Sequence, residues 1–231
     1  MVIGNGLLAT NFEKYINNDA VVIFCSGVSN SLCEDINEYS REQKLLEESI
    51  ANSKNSLFVY FSTCSIYEKK PSESKYVEHK LNIENYIQKN CNKYLIIRLS
   101  NVVGKTSNPN TVMNFFYNRI EKQIHFDLWS LSFRNLIDVQ DVAKIVSYII
   151  NNQLFVNSIL NVANTKSIAV SQLVKKIEQF LSKKAQFTLI EKGFEFQIDT
   201  STIQPLIKEL GIPFDHDYED GLLKKYYLRE L

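Results

Sequence analysis

Residues 57–80, which read LFVYFSTCSIYEKKPSESKYVEHK, decide the fold of this chain. Residues 57–61 are apolar and rich in aromatic rings, which is typical of a strand covered on both faces of a sheet. Thr63 follows at the end of that strand, and strand ends are where sites are built in parallel sheets. Pro71 marks a loop, and a helical apolar periodicity resumes at Tyr76. The stretch therefore predicts a buried strand, a loop and a helix.

Two side chains of the predicted helix can act on one small volume. Tyr76 and Lys80 are four positions apart, so they share one helix face. A free phenol has a pKa of about 10, and a nearby ammonium lowers that pKa toward neutrality. With the Thr63 hydroxyl to orient a substrate oxygen, the three groups suit moving a proton on or off a carbinol oxygen while a cofactor carries the hydride. The alternative is an ordinary amphipathic helix with a surface lysine; the preceding strand, ending in Ser-Thr-x-Ser-x-Tyr, favours chemistry.

The composition is that of an ordinary globular protein of one domain, or of one domain with a small second lobe. The 231 residues are 45% hydrophobic and 23% charged, and 26 basic residues balance 26 acidic ones. This balance argues against a nucleic-acid or anionic-membrane surface. The four Cys have no metal-type spacing and the three His do not cluster, so we predict no metal site and reduced thiols in a cytoplasmic protein. Neither a signal peptide nor a membrane-spanning run is expected.

A glycine turn follows the first predicted strand. Residues 1–9 read MVIGNGLLA, and the G-x-G-x-x-A spacing lets a backbone approach a pyrophosphate at a helix N-terminus. A helix is predicted over residues 8–17 and a strand over residues 20–25. The candidate cofactor-binding residues here are Gly4, Asn5, Gly6, Leu7 and Leu8. The alternative is a tight turn without a ligand.

The segment after the second predicted strand lacks the acidic residue that usually binds the adenosine ribose. Ser26 and Gly27 stand there instead, and small residues permit close approach of a cofactor. A long polar helix is predicted over residues 34–54, with its charged face solvated. Its apolar side is predicted to carry Ile36, Leu45, Leu46 and Ile50.

The rest of the chain continues to alternate strands with helices. Strands are predicted at 94–99, 159–163 and 186–190, with a hairpin or two short strands within 124–137. Helices are predicted at 111–121, 142–150, 171–181, 203–210 and 218–227. Asp138 and Asp141 are predicted caps, and the aromatic residues 115–117 are interpreted as core rather than as a ligand stack. The alternation predicts an α/β fold with a mostly parallel sheet.

Taken together, six segments resemble the extended short-chain dehydrogenase/reductase family, in its branch of sugar-nucleotide epimerases, dehydratases and ketoreductases. In chain order these segments are GNGLLA, FVYFSTCSIY, YVEHK, RLSNVVG, FRNLIDVQDVA and ILNVAN. The resemblance implies a Rossmann-like, doubly wound parallel sheet that binds NAD or NADP. It also implies a small C-terminal lobe that binds a nucleotide-sugar substrate.

The resemblance also implies roles for individual residues. Tyr76 matches the acid/base tyrosine, Lys80 the lysine that contacts the nicotinamide ribose, and Thr63 the catalytic Ser/Thr. The glycine turn matches the dinucleotide loop, with Ser26 and Gly27 beside the cofactor. The implied substrate-binding residues are Ser65, Asn101 and Arg134. Of these, Arg134 matches a segment that often meets the diphosphate, although a surface arginine is equally compatible with the sequence.

Two departures from the family pattern stand out. The strand AVVIFC is normally the fourth, but here it follows the first helix directly, so two usual strands are expected to be absent. Only 13 residues separate Thr63 from Tyr76, which trims one wall of the substrate pocket. We predict a cofactor-binding core formed by residues 1–104 together with 134–164. Residues 105–133 and 165–231 would form the smaller substrate lobe.

The predicted function is that of an NAD(P)-dependent oxidoreductase acting on a nucleotide-linked sugar, favoured as a 4-keto-sugar reductase in surface polysaccharide biosynthesis. The alternatives are a sugar-nucleotide epimerase, a non-catalytic binding protein of the same fold, and a reductase of unrelated small carbonyls. Homodimerisation through the helices that begin near Glu34 and Tyr76 is expected from the resemblance.

Overall fold

A parallel sheet of five strands forms the centre of the chain in a computed structural model that describes residues 1–68 and 73–228. The strands are β1 (Val2–Ile3), β2 (Val21–Phe24), β3 (Leu57–Thr63), β4 (Tyr94–Leu99), β5 (Asn101–Val103), β6 (Phe126–Trp129), β7 (Phe133–Arg134), β8 (Leu136–Asp138), β9 (Ser158–Val162), β10 (Ile168–Ala169) and β11 (Phe187–Ile190). The helices are α1 (Ile36–Ala51), α2 (Lys75–Asn90), α3 (Val112–Glu121), α4 (Val139–Asn151), α5 (Val170–Leu181), α6 (Gln204–Glu209) and α7 (Tyr218–Tyr227). The loop predicted at Pro71 lies outside the described residues.

The central sheet has the strand order β1-β2-β3-β4-β9, and every neighbouring pair is parallel. The predicted α/β fold with a mostly parallel sheet is therefore confirmed. As expected, the strand AVVIFC lies directly beside the first strand, with Val2 opposite Ile23. The short strand β1 forms one edge of the sheet, so the nearby glycine turn also lies at that edge.

Both faces of the sheet are covered by helices, because alternate strand residues point to opposite sides. Ile23, Val59 and Ile97 pack with α4 and α6 on one face. Phe24 and Tyr60 pack with α1 and α2 on the other. The strands are buried on both sides, which explains their continuous apolar runs.

A separate hydrophobic cluster joins α3, α5 and α7 with β6, and its members include Phe116, Tyr117, Leu173 and Leu222. Two of the three aromatic residues at 115–117 thus belong to the core, as interpreted. Phe115 is partly exposed, with its ring against Phe126. The boundaries of the two lobes stay a prediction.

Of the two predicted alternatives for residues 124–137, a hairpin or two short strands, the structure has short strands and not a hairpin. Their strands β6, β7 and β8 pair instead with β11, β10 and β5. These partners lie far along the chain in all three cases, and local sequence carries no signal for such pairing. None of the helices in the described ranges combines the length and apolarity needed to cross a membrane.

The helix predicted over residues 8–17 is replaced by two 3-10 turns, Ala9–Asn11 and Glu13–Tyr15. The side-chain amide of Asn11 donates to the Leu7 carbonyl at 2.8 Å. Its backbone N–H instead bonds the Leu8 carbonyl at 3.0 Å. The side chain therefore occupies the acceptor that an α-helical backbone bond would use.

Two predicted helices have different starts. Helix α1 begins at Ile36, where Asp35 caps it by accepting from the Asn37 N–H. Helix α4 begins at Val139, three residues before the prediction, because Asp138 caps it. Asp138 thus acts as the predicted cap, whereas Asp141 lies inside the first turn of the helix.

Candidate active site

Thr63 and Tyr76 meet at the carboxyl edge of the central sheet. Thr63 is the last residue of β3, and its hydroxyl oxygen accepts the Ser65 N–H at 3.0 Å. Tyr76 lies in the first turn of α2, which Ser74 caps by accepting from the Val77 N–H. Both side chains are buried, and Thr63 is near enough to Tyr76 to lower the pKa of its phenol. The structure thus brings together two of the three residues predicted to be catalytic.

Lys80 lies one turn further along α2, but its ammonium is held by protein groups. Its Nζ lies 3.0 Å from Glu42 Oε1 and 3.0 Å from the Tyr60 hydroxyl. It also lies 5.8 Å from the centre of the Tyr76 ring. The side chain is only 2% exposed. Lys80 is therefore next to Tyr76, as its spacing predicts, while its charge is directed at a carboxylate.

Glu42, a residue of α1, is the partner that the sequence analysis missed, because the charged face of this helix was predicted to be solvated. The carboxylate is fully buried. Its Oε1 accepts the Tyr60 hydroxyl at 2.6 Å, and its Oε2 accepts the Val28 N–H at 2.6 Å. His79 Nε2 approaches Oε2 to 3.1 Å without hydrogen-bond geometry. The carboxylate is thus anchored by both of its oxygens.

A signal for Glu42 was present in the sequence. Tyr39, Glu42, Leu46 and Ile50 follow one another at spacings of three, four and four, and all four are buried. A carboxylate in the middle of such a stripe indicates a buried ion pair. Ile36, predicted to lie on the apolar side, is instead 68% exposed; it is the first residue of the helix.

Burial dominates the ionisation of this cluster. It raises the pKa of the Tyr76 phenol; Thr63 opposes that rise and the charge of Glu42 adds to it. It lowers the pKa of Lys80, against the attraction of Glu42. Burial alone would also raise the pKa of Glu42, but Lys80 and the hydrogen bonds bring it down to about 2. At neutral pH the site therefore holds a carboxylate and a protonated phenol.

The two glycines of the turn after β1 have different structural roles. Gly4 has a φ of +120°, and a Cβ there would lie 2.9 Å from the carbonyl carbon and oxygen of Cys25. This glycine is needed where β1 and β2 approach each other. A Cβ on Gly6 would meet no heavy atom within 4 Å. Asn5 and Gly6 are exposed, whereas Leu7 and Leu8 are half-buried.

The predicted cofactor-lining residues Ser26 and Gly27 lie against charged side chains. A Cβ on Gly27 would lie 2.7 Å from Lys80 Nζ and 3.0 Å from Glu42 Oε1. Ser26 accepts two hydrogen bonds from the Arg41 guanidinium, each 3.2 Å long. The loop after β2 is therefore small at position 27 because it passes directly over the ion pair.

The three residues predicted to bind substrate are placed separately. Ser65 lies in the 3-10 turn that follows Thr63. Asn101, in β5, donates its side-chain amide to the Asn135 carbonyl at 3.0 Å. Arg134, in β7, donates to the Phe133 carbonyl at 2.7 Å and lies 3.7 Å from Glu68 Oε1. Ser65 thus joins the Thr63 cluster, Arg134 reaches the end of the same turn, and the Asn101 amide is engaged with the backbone.

A cavity of about 340 Å³ adjoins this turn. Its lining includes Glu68, Trp129, Ser132, Lys192 and Phe194. Trp129 and Phe194 are among the exposed large apolar side chains, and Lys192 Nζ lies 5.9 Å from the centre of the Trp129 ring. The cavity therefore offers aromatic surface and a cation, and its lining residue Glu68 lies 3.7 Å from Arg134.

A family profile described as "NAD dependent epimerase/dehydratase family" matches residues 7–163, which is more than half of the chain. The chain belongs to this family. The resemblance to sugar-nucleotide epimerases and dehydratases of the extended short-chain dehydrogenase/reductase type is thus confirmed. Family membership supports an enzyme of the epimerase/dehydratase type. No curated protein matches the chain at a significant level.

Solved structures of this family share the fold. The UDP-glucose 4-epimerase of Thermus thermophilus, in complex with NAD, superposes with a TM-score of 0.67 at 18% identity, covering 89% of this chain and 76% of that one. The dTDP-glucose 4,6-dehydratase of Bacillus anthracis, also with NAD, gives 0.69 at 14% identity, covering 89% and 71%. The UDP-N-acetylglucosamine 4-epimerase of Methanobrevibacter ruminantium, in complex with UDP-N-acetylmuramic acid, gives 0.68 at 18% identity, covering 96% and 78%. At such identities the similarity establishes the fold.

The family implies a bound nicotinamide dinucleotide. Three features of the chain were predicted to meet it, namely the glycine turn, the Thr63–Tyr76 pair and Lys80, and the structure is compatible with the first two. At the turn after β1, no heavy atom lies within 4 Å of a Cβ placed on Gly6, so the backbone there is open to a ligand. Thr63 and Tyr76 lie together at the carboxyl end of β3, where such a ligand is bound in doubly wound sheets. Lys80 is the point that differs, because it is buried against Glu42. The arrangement can donate a proton from Tyr76 without a contact from Lys80 to a ribose.

Proposed function

We propose that this member of the epimerase/dehydratase family is an NAD(P)-dependent oxidoreductase of nucleotide-linked sugars, and within that class a 4-keto-sugar reductase. The observation that carries the proposal is the burial of Tyr76 beside Thr63 at the end of β3, where burial raises the pKa of the phenol and favours its protonated form. Reduction of a ketone needs a proton donor. An epimerase that first oxidises its substrate needs a phenolate to accept a proton, and burial beside Glu42 disfavours that phenolate.

In this proposal the chain's own residues supply the proton and the orientation. A reduced nicotinamide, when bound, supplies the hydride. Thr63 steadies the carbonyl oxygen of the sugar, and Tyr76 gives its proton to that oxygen as the carbonyl becomes an alkoxide. The phenolate that remains on Tyr76 is then reprotonated from water. Gly4 and Gly6 admit the dinucleotide at the edge of the sheet.

The cavity beside the turn after Thr63 supports the proposed substrate class. Arg134 is a planar cation suited to a diphosphate. The exposed Trp129 ring offers a face on which a nucleobase can stack. A nucleotide sugar that spans this cavity would present its sugar toward Thr63. The compared structure with UDP-N-acetylmuramic acid makes nucleotide sugars the first substrate class to test.

The test measures cofactor binding first. NADH or NADPH fluorescence should change on titration with the purified protein, with micromolar affinity for at least one of the two. Gly6→Trp fills the open space at the turn and should abolish this binding. Gly221→Trp is the matched control, because a Cβ at Gly221 also meets no heavy atom within 4 Å but lies on α7. Failure of both cofactors to bind would refute the oxidoreductase proposal.

The second measurement separates the reductase from its alternatives. A panel of nucleotide-linked 4-keto sugars is followed by loss of absorbance of the reduced cofactor, and products are identified by NMR. A reductase consumes one reduced cofactor for each sugar, whereas an epimerase interconverts two sugars with no net consumption. The buried Lys80 favours a second candidate, a non-catalytic binding protein. That candidate predicts thermal stabilisation by a nucleotide sugar with no turnover.

A further inference from the structure

Glu42 on α1 and Lys80 on α2 form a buried ion pair. Glu42 bonds the Tyr60 hydroxyl, the Val28 N–H and the Lys80 ammonium at 2.6, 2.6 and 3.0 Å. Gly27 packs directly over both charges. The carboxylate thus links the ammonium on α2 to the loop after β2, which borders the candidate cofactor site.

The net charge of this unit controls what Tyr76 can do. With Glu42 and Lys80 both ionised, the buried cluster is neutral. Loss of a proton from Tyr76 or Lys80 would leave a buried negative charge, which is unfavourable. Without the Glu42 charge, the same loss would change the cluster from positive to neutral. The titratable and charged groups that face Tyr76 and Lys80 are Tyr39, Arg41 and Glu42 on α1, Tyr60 on β3, Cys64 in the following turn, and His79 and Glu84 on α2.

We propose that Glu42 is a positioning residue that holds the Lys80 ammonium and the Val28 N–H as one neutral unit, so that Tyr76 works as a proton donor in the reductive direction. The assignment of the reductive direction rests on the proposed function, whereas the holding role does not. Lys80 then acts through Glu42 and the loop after β2.

The test is an NMR titration of the cofactor-free protein labelled with ¹³Cζ-tyrosine and ¹³Cε-lysine. The two signals are assigned by their loss in Tyr76→Phe and in Lys80→Arg. In Glu42→Gln, which keeps the shape of the side chain, the first deprotonation of the Tyr76–Lys80 pair should fall by at least about one pH unit relative to the wild type. Glu48→Gln, an exposed position on the same helix, should leave it unchanged. An unmoved titration in Glu42→Gln overturns the proposal.

A measurement on the wild-type protein tests the proposal even if the Glu42→Gln variant does not fold. The ¹³Cδ signal of Glu42 should not titrate between pH 4 and pH 7, about the range in which a solvated glutamate takes up its proton. A Glu42 that titrates as a free carboxylate in this range also overturns the proposal.

Kinetics distinguish this inference from the proposed function. If the protein reduces keto sugars, the alkaline limb of kcat in Glu42→Gln should move to lower pH by about the shift seen in the titration, while Glu48→Gln follows the wild type. A merely structural role for Glu42 would lower activity at every pH without moving that limb. If there is no reductase activity but the titration shifts, the proposed reaction is refuted and the positioning role stands.

Discussion

The hydroxyl of Tyr76 is the single atom on which the proposed chemistry depends. Tyr76→Phe should lower kcat by about 100-fold or more, because positioned proton transfer contributes at least that factor. The affinity for NADH or NADPH should be nearly unchanged, because the ring remains in place. Steady-state kinetics and fluorescence titration measure the two quantities. Tyr86→Phe, on the same helix, is the control and should retain activity; a fully active Tyr76→Phe would contradict the assigned role.

Substitution by alanine should affect stability at Gly4 and cofactor binding at Gly6, the two glycines of the first turn. Gly4→Ala should lower the free energy of unfolding by about 1–3 kcal/mol, because φ is +120° and the added Cβ meets the Cys25 backbone. Gly6→Ala should leave stability nearly unchanged, since open space surrounds it, yet weaken dinucleotide binding. Urea unfolding and cofactor titration test the pair. Equal destabilisation by both variants would contradict the structural roles assigned to them.

At the scale of the elements, helix α1 is fastened to α2 by a pH-dependent contact. The pKa of Glu42 is about 2 when folded, against an ordinary value of 4.5. Its ionisation therefore contributes stability above pH 4.5 that is lost as the pH falls toward 2. Between pH 7 and pH 3 the wild type should lose about 2 kcal/mol more than Glu42→Gln, measured by urea unfolding. Glu48→Gln, the exposed control, should lose as much as the wild type, and parallel curves for all three proteins would contradict this.

The sequence predicts the elements whose signals are local. Strand β3 and helix α2 follow from apolar runs and from the change of period, so the approach of Thr63 to Tyr76 could be anticipated. The polarity of helix α1 does not predict the burial of Glu42, because a glutamate on a polar helix is usually solvated; only its spacing from Tyr39 and Leu46 indicates that it is buried. Strands β6, β7 and β8 could not be paired correctly, because their partners are set by tertiary packing.

For the whole molecule, the shortened sheet explains why the site differs from the family pattern. Strand β1 forms an edge, so the glycine turn lies at a boundary of the sheet. On the other side of the turn, the loop after β2 is held down by Glu42 and Arg41. The side chains of α1 thus fasten the loop that borders the glycine turn on the inner side of β1. The order of β2, β3 and β4 is retained, and this order brings the end of β3 to α2.

Cooperativity between the sheet and the helices of the C-terminal part can be tested at Tyr218. Its buried hydroxyl donates to Asp141 at 2.7 Å and accepts the Asp138 N–H at 2.8 Å, and so ties α7 to the start of α4. Tyr218→Phe leaves both groups without this partner and should lower the free energy of unfolding by about 1–3 kcal/mol. The melting temperature should then fall by roughly 2–10 °C. Tyr148→Phe, which removes an exposed hydrogen bond to Glu209, is the control and should change the melting temperature much less.

Calorimetry of Tyr218→Phe should show one transition, because the contact joins two packed regions into one unfolding unit. The sheet cluster and the cluster of α3, α5 and α7 both include Phe214 among their partly buried members, so the regions share packing beyond the Tyr218 hydroxyl. Loss of one contact should therefore shift the shared transition without dividing it. Two separated transitions in the variant would mean that the regions fold independently and are joined chiefly through Tyr218.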